Sequence, residues 1–151
     1  MSAFRKLVIS AKLNRRTMLL FTEAYLLLGW ARIQVIFPFS RLARRLGTPS
    51  EETSEAFVPS DSATVKHIRS AVNLMSRYTP WDSKCLVRAV AGQVMLNRRC
   101  IESTLYLGTA KDEQGRLIAH AWLRSGPLFI TGDDLMHDFT VVQSFAKFII
   151  K

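Results

Sequence analysis

The chain has 151 residues, nearly half of them hydrophobic, enough for one compact core without disulfides or a structural metal. Its formal net charge of +9 would suit an acidic partner, yet the basic residues fall in separated groups: Arg5 to Arg16, Arg41 to Arg45, Lys84 with Arg88, and Arg98 with Arg99. Neither zinc-finger spacing nor an aromatic RNA-binding signature accompanies them, so no nucleic-acid partner is expected. A non-catalytic scaffold and a basic nucleic-acid or membrane-surface module are the alternative readings of the chain.

The first element is the apolar run from Met18 to Trp30, which follows Arg5, Lys6, Lys12, Arg15 and Arg16. Glu23 interrupts it, no small-residue cleavage site follows, and Arg32 and Gln34 arrive before a spanning length is reached. The pattern predicts one buried or amphipathic helix over Thr17 to Phe37, stopped by Pro38, since the residue before a proline disfavours the helical region. A short basic segment through Arg41, Arg44 and Arg45 then closes at Gly47, giving a helical N-terminal unit over residues 1–47. Its apolar helix is a candidate for partner docking or peripheral membrane contact.

Thr48 to Ser60 holds two prolines, acidic residues and hydroxyls without apolar periodicity. It reads as a polar linker and as the favoured place for disorder. Residues 61–151 form the expected catalytic core. Asp61 and Ser62 offer caps for a helix whose stripe is Val65, Ile68, Val72 and Met75, and Thr79-Pro80 breaks it near Tyr78. A second, largely buried helix is predicted from Asp82 or Ser83, with Leu86, Val87, Val90, Ala91, Val94 and Met95 on its apolar positions.

Beyond Cys100 the period changes to two. Ser103 to Gly108, Leu117 to Leu123 and Leu128 to Ile130 read as three consecutive strands, separated by Lys111 to Gly115 and by Ser125-Gly126. Such a meander with a helix packed on it makes an α+β fold. Phe139 to Ile150 fits either a strand or a helix.

Cys85 and Cys100 form no CxxC pair and no disulfide framework, which fits a reducing, cytoplasmic setting. Cys85 stands at the start of the second helix, where the dipole favours the thiolate, the nucleophilic form. His120, on the second strand, is the candidate base, and a base needs a third group to hold its tautomer. If Ser125-Gly126 is a two-residue hairpin loop, His120 faces Thr131 and shares its side with Asp133, while Asp134 points away. That register favours Asp133, with Thr131 as a neutral alternative. Trp81 could wall the site or donate its indole N–H to an oxyanion, although a tryptophan beside a helix start is more often a packing residue. His67 and His137 stand apart, no HExxH or glycine-rich phosphate loop appears, and neither a metal nor another cofactor is expected.

Four segments carry a family resemblance: Trp81 to Ala91 (WDSKCLVRAVA), Ser103 to Gly108 (STLYLG), Ala119 to Leu123 (AHAWL) and Phe139 to Ala146 (FTVVQSFA). Together with the opening hydrophobic helix and Arg41 to Gly47, they resemble the lasso peptide biosynthesis B2 protein, a transglutaminase-like cysteine peptidase. The resemblance implies a papain-like, transglutaminase-core fold with a Cys-His-Asp triad, in which Cys85 matches the nucleophile and His120 the base. It also implies removal of the leader from a ribosomally made precursor peptide, presented by a separate leader-recognition protein and later closed by an ATP-dependent macrolactam cyclase. The carboxylate carries over less directly, because Ile130 to Asp134 departs from the simplest family pattern.

Overall fold

The computed structural model describes residues 15–134 and 136–149. The helical expectation for residues 1–14 and the end of the last element at Ile150 lie outside them. Among the described residues the elements are helices α1 (Arg15–Gln34), α2 (Phe39–Leu46), α3 (Pro59–Met75) and α4 (Cys85–Arg98), and strands β1 (Thr48–Pro49), β2 (Ser103–Lys111), β3 (Leu117–Ser125), β4 (Leu128–Thr131) and β5 (Thr140–Lys147). The strands form one antiparallel sheet in the order β1-β5-β2-β3-β4. The architecture is α+β, with helices on one face of the sheet.

Alternation along the strands sorts side chains between two environments. Leu105, Ala121, Leu123, Ile130 and Phe145 enter one apolar core with Ala24, Leu28 and Ala31 of α1, Ile68 and Val72 of α3, and Val90 and Met95 of α4. The N-terminal helix is therefore part of the same core as α3, α4 and the sheet. Gly92 lets α4 close on the sheet, since a Cβ there would lie 2.9 Å from Leu123 Cδ2. The C-terminal segment resolves as strand β5, which returns to pair with β2.

The polar stretch expected to be a loose linker is strapped across the other face of the sheet. Gly47, at φ +116°, passes so close to Ala146 that a Cβ would collide with its carbonyl, and the chain then enters β1 against β5. Thr53 is buried and its hydroxyl lies 2.7 Å from that of Thr104. Arg124, only 3% exposed, holds the strap from below. Its guanidinium donates to the carbonyls of Thr53 (3.0 Å) and Gly126 (2.8 Å) and to the Tyr106 hydroxyl (3.0 Å), and Tyr106 in turn donates to Glu52. A stretch without apolar periodicity is thus ordered by polar bonds, which periodicity does not register.

Helix starts also differ from expectation. α3 begins earlier, with Pro59 in its first turn, where proline's fixed φ and missing N–H fit. α4 begins at Cys85 rather than Asp82 or Ser83. Ser83 spends its hydroxyl on Thr79 Oγ1 at 2.8 Å, and Asp82 pairs with Lys84 at 3.3 Å, so neither caps the helix.

Candidate active site

Cys85 is the first residue of α4. The first bond of the helix runs from the Arg88 N–H to the Lys84 carbonyl, and no side chain caps the start. The N–H groups of Cys85, Leu86 and Val87 are consequently without intrahelical acceptors, an arrangement that receives a negative oxygen readily. The thiol is half-buried beside a cavity of about 340 Å³. Leu86, Val87, Leu107, Ala119 and Ala121 give that cavity an apolar lining, Arg32 and Val35 enter it from the end of α1, and His120 borders it.

The position of His120 follows from the shortness of β4. That strand pairs only with Leu123 to Ser125, so the edge of β3 around Ala119, His120 and Ala121 has no strand partner on that side and opens to the cavity. The imidazole shares its side of β3 with Trp122 and Arg124, by alternation opposite to Ala121 and Leu123. Its Nε2 lies 2.8 Å from the carbonyl oxygen of Gly132. A carbonyl only accepts, so Nε2 carries the hydrogen and the neutral ring leaves Nδ1 as its basic nitrogen. The ring is further held by stacking on Trp122 at 5.8 Å and by Phe139 at 5.1 Å. No hydrogen bond joins Cys85 to His120 among the described residues.

The carboxylate expected from hairpin register is not on the imidazole. The loop between β3 and β4 is Gly126-Pro127, because Ser125 pairs with Leu128, and a bulge at Ile130 then sets Thr131 opposite Leu123 rather than His120. Asp133 turns instead toward Arg69, 3.7 Å away, and Asp134 is exposed. Thr131 is buried with its hydroxyl unpartnered. The group that fixes His120 is a backbone carbonyl, which residue identity does not advertise. The one sequence signal nearby is Gly132 itself, whose φ of +74° and close approach to Ala121, Trp122 and His120 exclude a side chain.

Trp81 also departs from its expected place as site wall or oxyanion donor. It packs edge-on against Tyr25 at 5.1 Å and fills the space over Gly29, fastening α1 to the loop before α4. Its indole N–H is buried without an acceptor, and the residue does not line the cavity. The packing alternative is the one realised. Sequence reasoning missed Arg32, Val35 and Leu107, which reach the cavity from elements remote in the chain.

A larger cavity of about 580 Å³ lies between the strap, the start of α3 and the β3–β4 turn, bordered by Cys100 and Glu102. It contains neither Cys85 nor His120. No cluster of histidine, cysteine and carboxylate side chains among the described residues could hold a metal ion.

A family model of the transglutaminase-like superfamily matches residues 24–144, from α1 into β5. The chain belongs to the transglutaminase-like superfamily. Neither the curated proteins nor the solved structures supply a match. The matched span takes in Cys85 on α4 and His120 on β3, and this superfamily includes cysteine peptidases and commonly uses a cysteine in catalysis. No described helix is long and apolar enough to cross a membrane.

Proposed function

We propose that this protein is a cysteine peptidase that removes the leader from a ribosomally synthesised lasso precursor peptide. The observation that carries the reading is the placement of Cys85 as the uncapped first residue of α4, on a cavity that His120 also borders. Superfamily membership supports cysteine chemistry, and the CLVRA and AHAW segments support the narrower family. Arg32 and the backbone edge of β3 offer polar contacts to an extended peptide, while the apolar lining takes one of its side chains.

Catalysis requires the β3 edge at His120 to rearrange when peptide binds, since the imidazole rests against Trp122 and Phe139 on the side of β3 opposite Ala121 and Leu123; once the ring reaches the thiol, Nδ1 takes its proton. Cys85 Sγ then bonds to the carbonyl carbon at the leader–core junction, and the first-turn N–H groups of α4 receive the oxyanion. Collapse breaks the C–N bond, and the imidazolium gives its proton to the departing core amine. Water, deprotonated by His120, attacks the thioester, and the thiolate leaves with the proton restored to it. In the resting arrangement the Gly132 carbonyl accepts from Nε2–H and leaves Nδ1 as the nitrogen with the free lone pair. A separate leader-recognition protein brings the substrate, and an ATP-dependent cyclase closes the macrolactam on the freed amine.

Mass spectrometry of a lasso precursor incubated with the protein and its leader-recognition partner tests the reading. Cleavage at one junction by the native protein and none by Cys85→Ala is the expected result. An intact precursor with the native protein, or undiminished cleavage by Cys85→Ala, overturns it.

A further inference from the structure

We propose that the outer face of α1 docks the protein on an anionic lipid surface. Leu19, Leu26 and Ile33 recur every seven residues, so they fall on one line of the helix, and they are 64, 65 and 55% exposed. Ala24, Leu28 and Ala31 on the opposite side are fully buried. The apolar line continues past the helix end into Ile36 and Phe37, 68 and 42% exposed. None of these side chains is needed by the core.

Charge identifies the occupant. Between Arg15 and Leu46 there are six arginines and a single carboxylate, Glu23. Glu23 is already engaged by Arg99 at 2.6 Å and Arg98 at 3.3 Å, so it offers no repulsion to an anionic surface. Arg41 lies over the Phe37 ring at 5.2 Å and Arg45 over Trp30 at 5.8 Å, which joins cationic groups to the apolar line at its far end. Apolar side chains flanked by arginine and aromatic residues match the boundary between lipid headgroups and acyl chains.

A second copy of the chain fits this face less well, since apposing two of them would bring their arginines together. A partner protein would need a groove shaped to a convex helix, whereas a lipid surface adapts to it. The helix would lie in the interface, and the core contacts of Ala24, Leu28 and Ala31 would stay intact. This inference does not depend on the peptidase reading.

Co-sedimentation of the full chain with vesicles of phosphatidylcholine alone, or mixed with phosphatidylglycerol, provides the test. Binding to the mixed vesicles that weakens with salt is expected. Leu19→Asn with Leu26→Asn and Ile33→Asn should keep the native circular dichroism and melting, and should lower the apparent affinity at least about tenfold. Arg41→Glu with Arg45→Glu should remove the preference for anionic vesicles and supplies a second arm if the triple variant fails to fold. Failure of the native protein to bind the mixed vesicles overturns the proposal. So does binding that both variants leave unchanged, or a dimer in solution that the triple variant abolishes while vesicle binding is absent.

Discussion

The Nε2 of His120 lies 2.8 Å from the carbonyl oxygen of Gly132, and this backbone contact fixes the tautomer of the imidazole. Gly132 is held at φ +74°, where an added Cβ would sit 2.5 Å from the Ala121 carbonyl oxygen and 3.1 Å from His120 Nε2. Gly132→Ala is therefore expected to destabilise the fold by about 1–3 kcal/mol and to displace the carbonyl from the imidazole. Chemical denaturation gives the first effect. The ring-nitrogen chemical shifts of His120, which report its tautomer, give the second, and unchanged shifts would show that the carbonyl does not govern it.

Arg124 tests the strap in the same way. Its buried guanidinium satisfies carbonyls of Thr53 and Gly126 together with the Tyr106 hydroxyl, a planar fork that lysine cannot reproduce. Arg124→Lys should cost about 2–4 kcal/mol and speed hydrogen exchange in residues 51–56, because it leaves buried acceptors unpaired. The stack of Tyr106 on Trp122, and of Trp122 on His120, gives the loss a route to the site.

Tyr106 adds a pH signature to that network. Burial, and secondly its bond to Glu52, push its phenol above the ordinary tyrosine range, while Arg124 opposes them. A raised folded pKa favours the protonated state of the folded protein. The contribution is whole below the ordinary tyrosine value and fades as pH rises through the raised one. Tyr106→Phe should therefore flatten the loss of stability above about pH 10 seen in denaturant titrations of the native protein. An identical alkaline profile in the variant would contradict the assignment.

Helix α4 and the β2–β3–β4 meander were legible because their apolar residues follow the periods of 3.6 and 2 that burial imposes. Leu86, Val87, Val90 and Ala91 mark the helix, and Leu105 and Leu107 the strand. Cys85 was legible for the same reason, as the thiol at the edge of a clear pattern. The group that holds His120 was not. The loop falls one residue later than expected, at Gly126-Pro127, which would set Thr131 opposite Trp122, and the extra residue at Ile130 moves it on to Leu123, a slip that exchanges faces without changing composition. The strap was hidden for a different cause, since Arg124 and Thr53 order it by hydrogen bonds between segments far apart in the chain.

Glu23 gives a further acid-dependent prediction. The hydrogen bond from Arg99 holds its carboxyl below the ordinary range, against the opposing effect of burial, and the charges of Arg99 and Arg98 add to the lowering. A depressed folded pKa means stability that is full above the ordinary glutamate value and lost as pH falls through the depressed one. Glu23→Gln should cost about 1 kcal/mol near neutral pH and progressively less in acid. Denaturation curves recorded from pH 7 downward provide the check, and a penalty independent of pH would assign the effect to packing of α1 on α4 instead.

Asp133 offers the sharpest contrast between the expected triad and the arrangement in the fold. A carboxylate that held the imidazolium would be needed in every turnover, and its loss would reduce kcat by roughly four orders of magnitude. Here its partner is Arg69, at 3.7 Å on a half-exposed surface, a contact that contributes little. Asp133→Asn should therefore keep precursor cleavage within about threefold of the native rate, whereas His120→Ala should abolish it. Single-turnover cleavage of the precursor distinguishes the two cases. A collapse of the rate in Asp133→Asn, with melting unchanged, would return Asp133 to the catalytic set and require the β4 loop to rearrange when peptide binds.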